Sequence, residues 1–295
     1  MRLPPVQNFI TGKIAGILEE RIGTPVSMEG IDIDWLDAVE IHGLYLEDQQ
    51  QDTLLFLGHL RIDIEPWALL NKTLMVKQVQ VQDTYVNIYR VASTDSLNFT
   101  YIPEAFASAD TTTQPTDTTS SSFTVEARQL LLNDIRVDFV ADSTEARVAL
   151  GELTLLIETL GLEEQHIRAE ELSIEALQIA LQLPRASEPD STAQSEPSNP
   201  TPDSLKNVIN PSGYAFSLAN FSINDSQVDY QVGSSDISSP QMNFENLLIA
   251  DLRVQIEDIE VGDTNASLNL EQFTFTEQHS GFTLQELSLN AAVEI

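Results

Sequence analysis

The residues that could do chemistry in this chain are carboxylates and four histidines. Its 295 residues include 46 Asp and Glu against 14 Lys and Arg, a net charge of −32. The histidines, His42, His59, His166 and His279, are far apart in sequence, and none lies in a recognisable ligand pair. A surface role is expected for each. Carboxylates this abundant meet by chance, so their number does not argue for a glycosidase-like acid/base pair. There is no cysteine, which removes thiolate chemistry and disulfides together. A phosphate-cradling Gly-rich loop, a G-x-S-x-G elbow and a zinc-protease motif are also missing. The expectation is a binding or structural protein, not an enzyme, with no cofactor and no metal.

Three aspartates stand at repeated positions. Val79 and Val81 precede Asp83, with Val86 and Ile88 after it; Leu130 and Leu132 precede Asp134, with Val137 and Phe139 after it; Phe221 and Ile223 precede Asp225, with Val228 and Tyr230 after it. In each unit the apolar positions change parity across the Asp. A regular strand would carry the second half to the wrong face, so a bulge or tight turn is required there. Asp suits a turn because its side chain bonds nearby backbone N–H groups. Calcium binding is the weaker reading, since each Asp stands alone and the ion needs six or more oxygens.

The elements that position these residues are mostly strands. Residues 1–23 form the exception: Val6, Phe9, Ile10, Ile14, Ile17, Leu18 and Ile22 recur at spacings of three and four, which predicts an amphipathic helix. Pro4 and Pro5 suit its first turn, Gly23 its left-handed stop, and Pro25 blocks continuation. Past that stop the period becomes two, with Ile31, Ile33 and Trp35 on one side and Asp32 and Asp34 on the other. Leu54 to Ile64 and Thr73 to Val91 continue the alternation, joined by a short helical or looped link at Pro66 to Asn71. Residues 145–182 contain helix-favouring stretches such as Glu170 to Gln178, but the spacing of Leu153, Leu155 and Ile157, and of Leu177, Ile179, Leu181 and Leu183, decides for strands.

Two segments, 107–122 and 185–204, are rich in Ser, Thr, Pro and Asp and nearly free of large apolar side chains. They cannot repay the entropy of ordering and are expected to be mobile loops inserted in one repetitive β-sheet spanning 24–295. The last alternating run, Phe282 to Ile295, ends without a turn or polar tail, which suggests a fragment of a longer protein.

Charge narrows the partners. Phosphate binding needs concentrated Lys and Arg, so no nucleic acid is expected. Residues 1–90 hold 13 acidic and 7 basic side chains, net −6, leaving −26 for the other 205. The N-terminal end is therefore the part least repelled by an anionic membrane. No apolar run reaches the roughly 18 residues of a membrane span. A sheet of roughly fifteen or more strands presents a long apolar face, and one helix of about 19 residues, about 28 Å long, covers only a few strands. A second sheet, a rolled sheet or an apolar ligand must supply the rest.

The string RIGTPVSMEGIDIDWLDAVEIHGLYLEDQQQDTLLFLGHLRIDIEPWALL, followed by VKQVQVQDTYVNIYR, resembles the N-terminal region of TamB-like proteins of the AsmA superfamily of Gram-negative envelopes. The matching features are Gly23-Thr24-Pro25-Val26 after the helix, the Asp52-Thr53-Leu54-Leu55 step and the Val81 to Arg90 unit. Over residues 4–90 the likeness is in motifs; from 91 to 295 it is architectural, and the family's upstream membrane anchor is not part of the sequence. The resemblance implies a mainly β protein, a long curled antiparallel sheet forming a taco-like groove. It further implies a periplasmic location with inner-membrane anchoring, transfer of phospholipid to the outer membrane, and a possible outer-membrane β-barrel partner. Acyl chains would then cover the apolar face, with Val79, Val81, Val86, Ile88, Leu130, Leu132, Val137, Phe139, Phe221, Ile223, Val228 and Tyr230 as lining candidates. A purely structural envelope module with a closed core is the alternative.

Overall fold

The computed structural model describes residues 4–34, 37–92, 94–106, 124–161, 165–185, 214–233, 241–262 and 265–294. Trp35, Leu162, segment 107–122 and all of 185–204 except Arg185 lie outside them. The protein is mainly β, with one long helix at its N-terminal end. It divides into two compact units, residues 1–142 with 147–149, and residues 143–146 with 150–295. The division falls at the Asp142–Ser143 turn, not in either low-complexity segment.

In the first unit, helix α1 (Pro4–Ile22) is followed by β1 (Val26–Ser27), β2 (Gly30–Asp34), β3 (Ala38–Glu47) and β4 (Thr53–Glu65). A 3-10 turn (Pro66–Asn71) leads to β5 (Thr73–Val91), β6 (Ser96–Leu97), a short helix α2 (Tyr101–Phe106), β7 (Thr124–Ala127) and β8 (Gln129–Ala141). The strand order is β1-β3-β4-β5-β8. Gly23, at φ 81°, stops α1, and its N–H donates to Glu19 O at 2.8 Å. Beyond it Val26, Leu46 and Leu54 form a small buried core against which Leu18, Ile22, Phe99, Tyr101 and Ile102 pack. Helix α1 thus docks on the sheet, and the Ile31 N–H donates to the buried Thr11 hydroxyl at 3.1 Å.

The second unit contains β9 (Thr144–Gly161), β10 (His166–Glu175), β11 (Gln178–Leu183), β12 (Ala215–Val232), β13 (Asn246–Val261), β14 (Asn265–Glu277), β15 (Thr283–Leu284) and β16 (Leu289–Glu294). Its order is β9-β10-β12-β13-β14, with β11 beside β12 and with β15 and β16 beside β14. The described residues between 145 and 182 lie in β9, β10 and β11, apart from Gln165, Ala176 and Leu177, despite their helix-favouring composition, because pairing to neighbours outweighs local propensity.

Three expectations need correction. The sheet is mixed: β5 pairs with β8, and β12 with β10 and β11, in parallel. A parallel pair cannot be closed by a two-residue hairpin and needs a long connection. The two Ser/Thr/Pro-rich segments lie in those connections, between β5 and β8 and between β11 and β12. Second, α1 separates apolar from polar faces less cleanly than its seven apolar residues at helical spacing imply. Ile14 and Leu18 are half-buried, but Ile17 is 57% exposed, because at 100° per residue it lies well round the helix from Thr11, Leu18 and Ile22, which face the core. Val6, Phe9 and Ile10 lie within the helix, and their side chains are outside the described part. Third, Ile31 is buried while Ile33, on the same face of β2, is 57% exposed, since α1 covers this edge strand only at its start.

Candidate functional site

The parity changes at the three aspartates are real backbone events. Asp83, Asp134 and Asp225 occupy the left-handed region at φ 51°, 53° and 47°. Asp and Asn tolerate this conformation better than most side chains. All three carboxylates are exposed, and Asp225 pairs with Arg253 at 3.2 Å.

These residues do not stand alone, as their separation in sequence suggests. The register places Asp83 beside Asp134 across β5 and β8, and beside Gly58 of β4 and then Gly43 of β3, itself at φ 57°. One crease therefore crosses four strands of the first unit. A second crosses the other unit through Gly151, Ala176 at φ 54°, Asp225 and Asp251 at φ 52°. The glycines are steric necessities: a Cβ on Gly58 would lie 2.7 Å from Asp83 Cβ, and one on Gly151 would lie 2.8 Å from Ala176 Cβ. Ala176, Gly43 and Gly58 carry no Asp signal. Their parity changes, such as Ile41 to Leu44 and Leu57 to Leu60, were nevertheless present in the sequence.

Because the creased strands of each unit invert at the same line, their apolar side chains stay in register on both sides of it. In the first unit Ile41, Leu60, Val81 and Leu132 form one row, and Leu46, Leu55, Val86 and Val137 another beyond the crease. Val79 pairs with Leu130 and Ile88 with Phe139. In the second unit Leu155, Leu172, Phe221, Ile256 and Leu270 form a row, with Leu153, Ile174, Ile223, Val254 and Phe273 beside it. Past the crease Ile179, Val228 and Ile249 align, as do Leu181, Tyr230 and Leu247.

All twelve lining candidates are thus in cross-strand apolar rows, eight in the first unit and four in the second. Each is half-buried, and none is enclosed. Among the described residues only eight apolar side chains are buried, three of them alanines. A shallow apolar depression on the second unit, lined by Val261, Ala266, Leu268, Ala291 and Val293, continues this character between β13, β14 and β16.

Two buried carboxylates brace the loops around these rows. Asp48 accepts from Tyr89 OH at 2.6 Å, Asn98 Nδ2 at 2.9 Å and the Gln50 and Asp52 N–H groups. Burial acts to raise its pKa, but those donors outweigh it and hold the carboxyl below its ordinary value. Glu277 accepts from the N–H groups of Leu248, His279 and Ser280 and from the Ser280 hydroxyl. Burial again opposes ionisation, yet the Ser280, His279 and Leu248 donors bring it down to about 2.

The histidines are not all separate surface groups. His42 and His59 are directly opposite on β3 and β4, with stacked rings 4.9 Å apart. Sequence reasoning missed the pair because it depends on hairpin register. No described helix is long and apolar enough to cross a membrane. Comparison with known protein families and with characterised proteins finds no match for this chain.

Proposed function

We propose that this protein carries phospholipid acyl chains along its cross-strand apolar rows, as a periplasmic bridge passing lipid from the inner to the outer membrane. The observation that supports this most directly is the state of the rows. They run across β3, β4, β5 and β8 in the first unit and across β9, β10, β12, β13 and β14 in the second, resume in register past the creases, and, apart from Leu46 in the small core under α1, remain half-buried. A chain of this size with a conventional core would bury far more large apolar side chains. Acyl chains complete such a surface at about 0.8 kcal/mol per buried CH2. The attraction is non-directional, so lipid can slide without a fixed site. The motifs over residues 4–90 favour the envelope setting, where inner-membrane anchoring upstream and an outer-membrane β-barrel partner fit the same role.

The test is lipid retention. The purified chain is extracted gently and its bound phospholipid read by native mass spectrometry. Val137→Asp and Val228→Asp, each just past a crease, place a charge on a row that is not enclosed. Both variants are expected to stay folded and to lose most bound lipid. If they unfold, or if the parent carries no lipid, a closed structural module replaces this reading.

A further inference from the structure

The polar face of the first unit carries a second feature, independent of the apolar rows. Neighbours on a strand point to opposite faces, so Glu40 and His42 on β3, and His59 and Arg61 on β4, lie away from Ile41 and Leu60. The ladder sets His42 opposite His59 and Glu40 opposite Arg61. Glu40 Oε2 then lies 3.5 Å from His42 Nε2 and 3.9 Å from His59 Nε2. We propose that Glu40, His42 and His59 bind one divalent transition-metal ion of the Zn2+ type.

Geometry carries the argument. The three ligand atoms all lie within 4.8 Å of one another. A tetrahedral ion with bonds of about 2.0–2.1 Å spaces its ligand atoms about 3.4 Å apart, so modest side-chain rotations close the site. Stacking of the two rings, 15° from parallel, brings both Nε2 atoms to the same carboxylate oxygen. The outer shell is also in place. Gln82 Oε1 lies 3.4 Å from His59 Nδ1 and, as an acceptor, selects the tautomer that leaves Nε2 bare. Arg61 takes the other Glu40 oxygen and bridges to Asp63 at 2.7 Å, which orients Oε2 toward the imidazoles.

Charge and ligand type agree. Asp32, 3.5 Å from His42, joins Glu40 and Asp63 against the single Arg61 guanidinium, so the cluster has two negative charges in excess when the imidazoles are neutral. One divalent cation balances that. Two imidazoles favour Zn2+, Cu2+ or Ni2+ over Ca2+ and Mg2+, which prefer oxygen. His42 remains 36% exposed at its side chain, leaving an entry path and room for a water ligand. The ion would clip β3 to β4 on the face opposite the apolar rows.

Calorimetric titration with Zn2+, in buffer holding excess Mg2+ and Ca2+ to occupy the acidic surface, tests the assignment. One ion per chain is expected, with a raised thermal midpoint. His42→Ala, His59→Ala and the isosteric Glu40→Gln should each lower affinity at least ~10-fold, and Gln82→Leu about 10-fold without removing a ligand. Co2+ should give visible d–d bands that His59→Ala abolishes, while His166→Ala leaves every readout unchanged. Folded Glu40→Gln or His42→Ala/His59→Ala protein that binds Zn2+ as tightly as the parent overturns the proposal. So does suppression of Zn2+ binding by Mg2+.

Discussion

Replacing Gly58 with Ala tests the crease that aligns the apolar rows. Gly58 faces Asp83 where β4 crosses onto β5, between the pairs His59–Gln82 and Leu57–Thr84. An added Cβ would meet Asp83 Cβ at 2.7 Å and Asp83 O at 3.0 Å. Carbon atoms normally approach no closer than about 3.5 Å, so the strands must part by nearly 1 Å. A Cβ has no rotamer by which to escape, and paired residues on both sides hold the two strands together. Overpacking of this kind costs about 1–3 kcal/mol, offset by about 0.4–1 kcal/mol from the stiffer unfolded chain, which leaves a net loss of about 1–2 kcal/mol.

Urea unfolding followed by far-UV circular dichroism measures that loss. Gly16 supplies the control: a Cβ there meets nothing within 4 Å, and Gly16→Ala should stabilise α1 by about 0.5–1 kcal/mol. Asp83→Gly in the Gly58→Ala background removes the facing Cβ and should restore much of the loss, a coupling of about 1 kcal/mol. If Gly58→Ala unfolds at the parent's urea concentration while Gly16→Ala behaves as expected, the steric account of the crease is wrong. The same conclusion follows if Asp83→Gly adds its effect independently.

Two further outcomes follow. Glu277, held down to about 2 from an ordinary 4.5, contributes stability that is complete above about pH 4.5 and lost as pH falls through 2; Glu277→Gln should therefore lower stability at neutral pH and flatten the acid limb between those values, and an unchanged acid limb would contradict the assignment. Leu18→Asp, which places a charge against Val26, Leu46 and Leu54, should cost several kcal/mol if α1 is docked as described, whereas Ile17→Asp at the exposed position should cost less than about 0.5 kcal/mol; equal thermal midpoints for the two variants would refute the docking.

What could be read from the sequence was whatever depends on near neighbours along the chain. The end of α1 follows from Gly23 and Pro25, and the two-residue period marks strands wherever one face is apolar. The irregularities at Asp83, Asp134 and Asp225 were legible because a parity change between flanking apolar positions requires a bulge or turn there; that the residue is left-handed came from the structure. Those twelve flanking residues alternate with period two on each side of the Asp, which made them candidates for one apolar face of their strands.

The tertiary structure alone decided what lies beside what across strands. Parallel pairing of β5 with β8 and of β10 and β11 with β12 depends on long connections that carry no directional signal of their own. Alignment of Gly43, Gly58, Asp83 and Asp134 into one crease, and of Glu40, His42 and His59 into one cluster, requires registers set by the assembled ladder. Burial of Asp48 and Glu277 was equally hidden, because an Asp or Glu in an acidic chain looks like any other until backbone N–H groups converge on it. Side-chain alternation is a local property of the extended backbone, whereas register and enclosure are cooperative properties of strands distant in sequence.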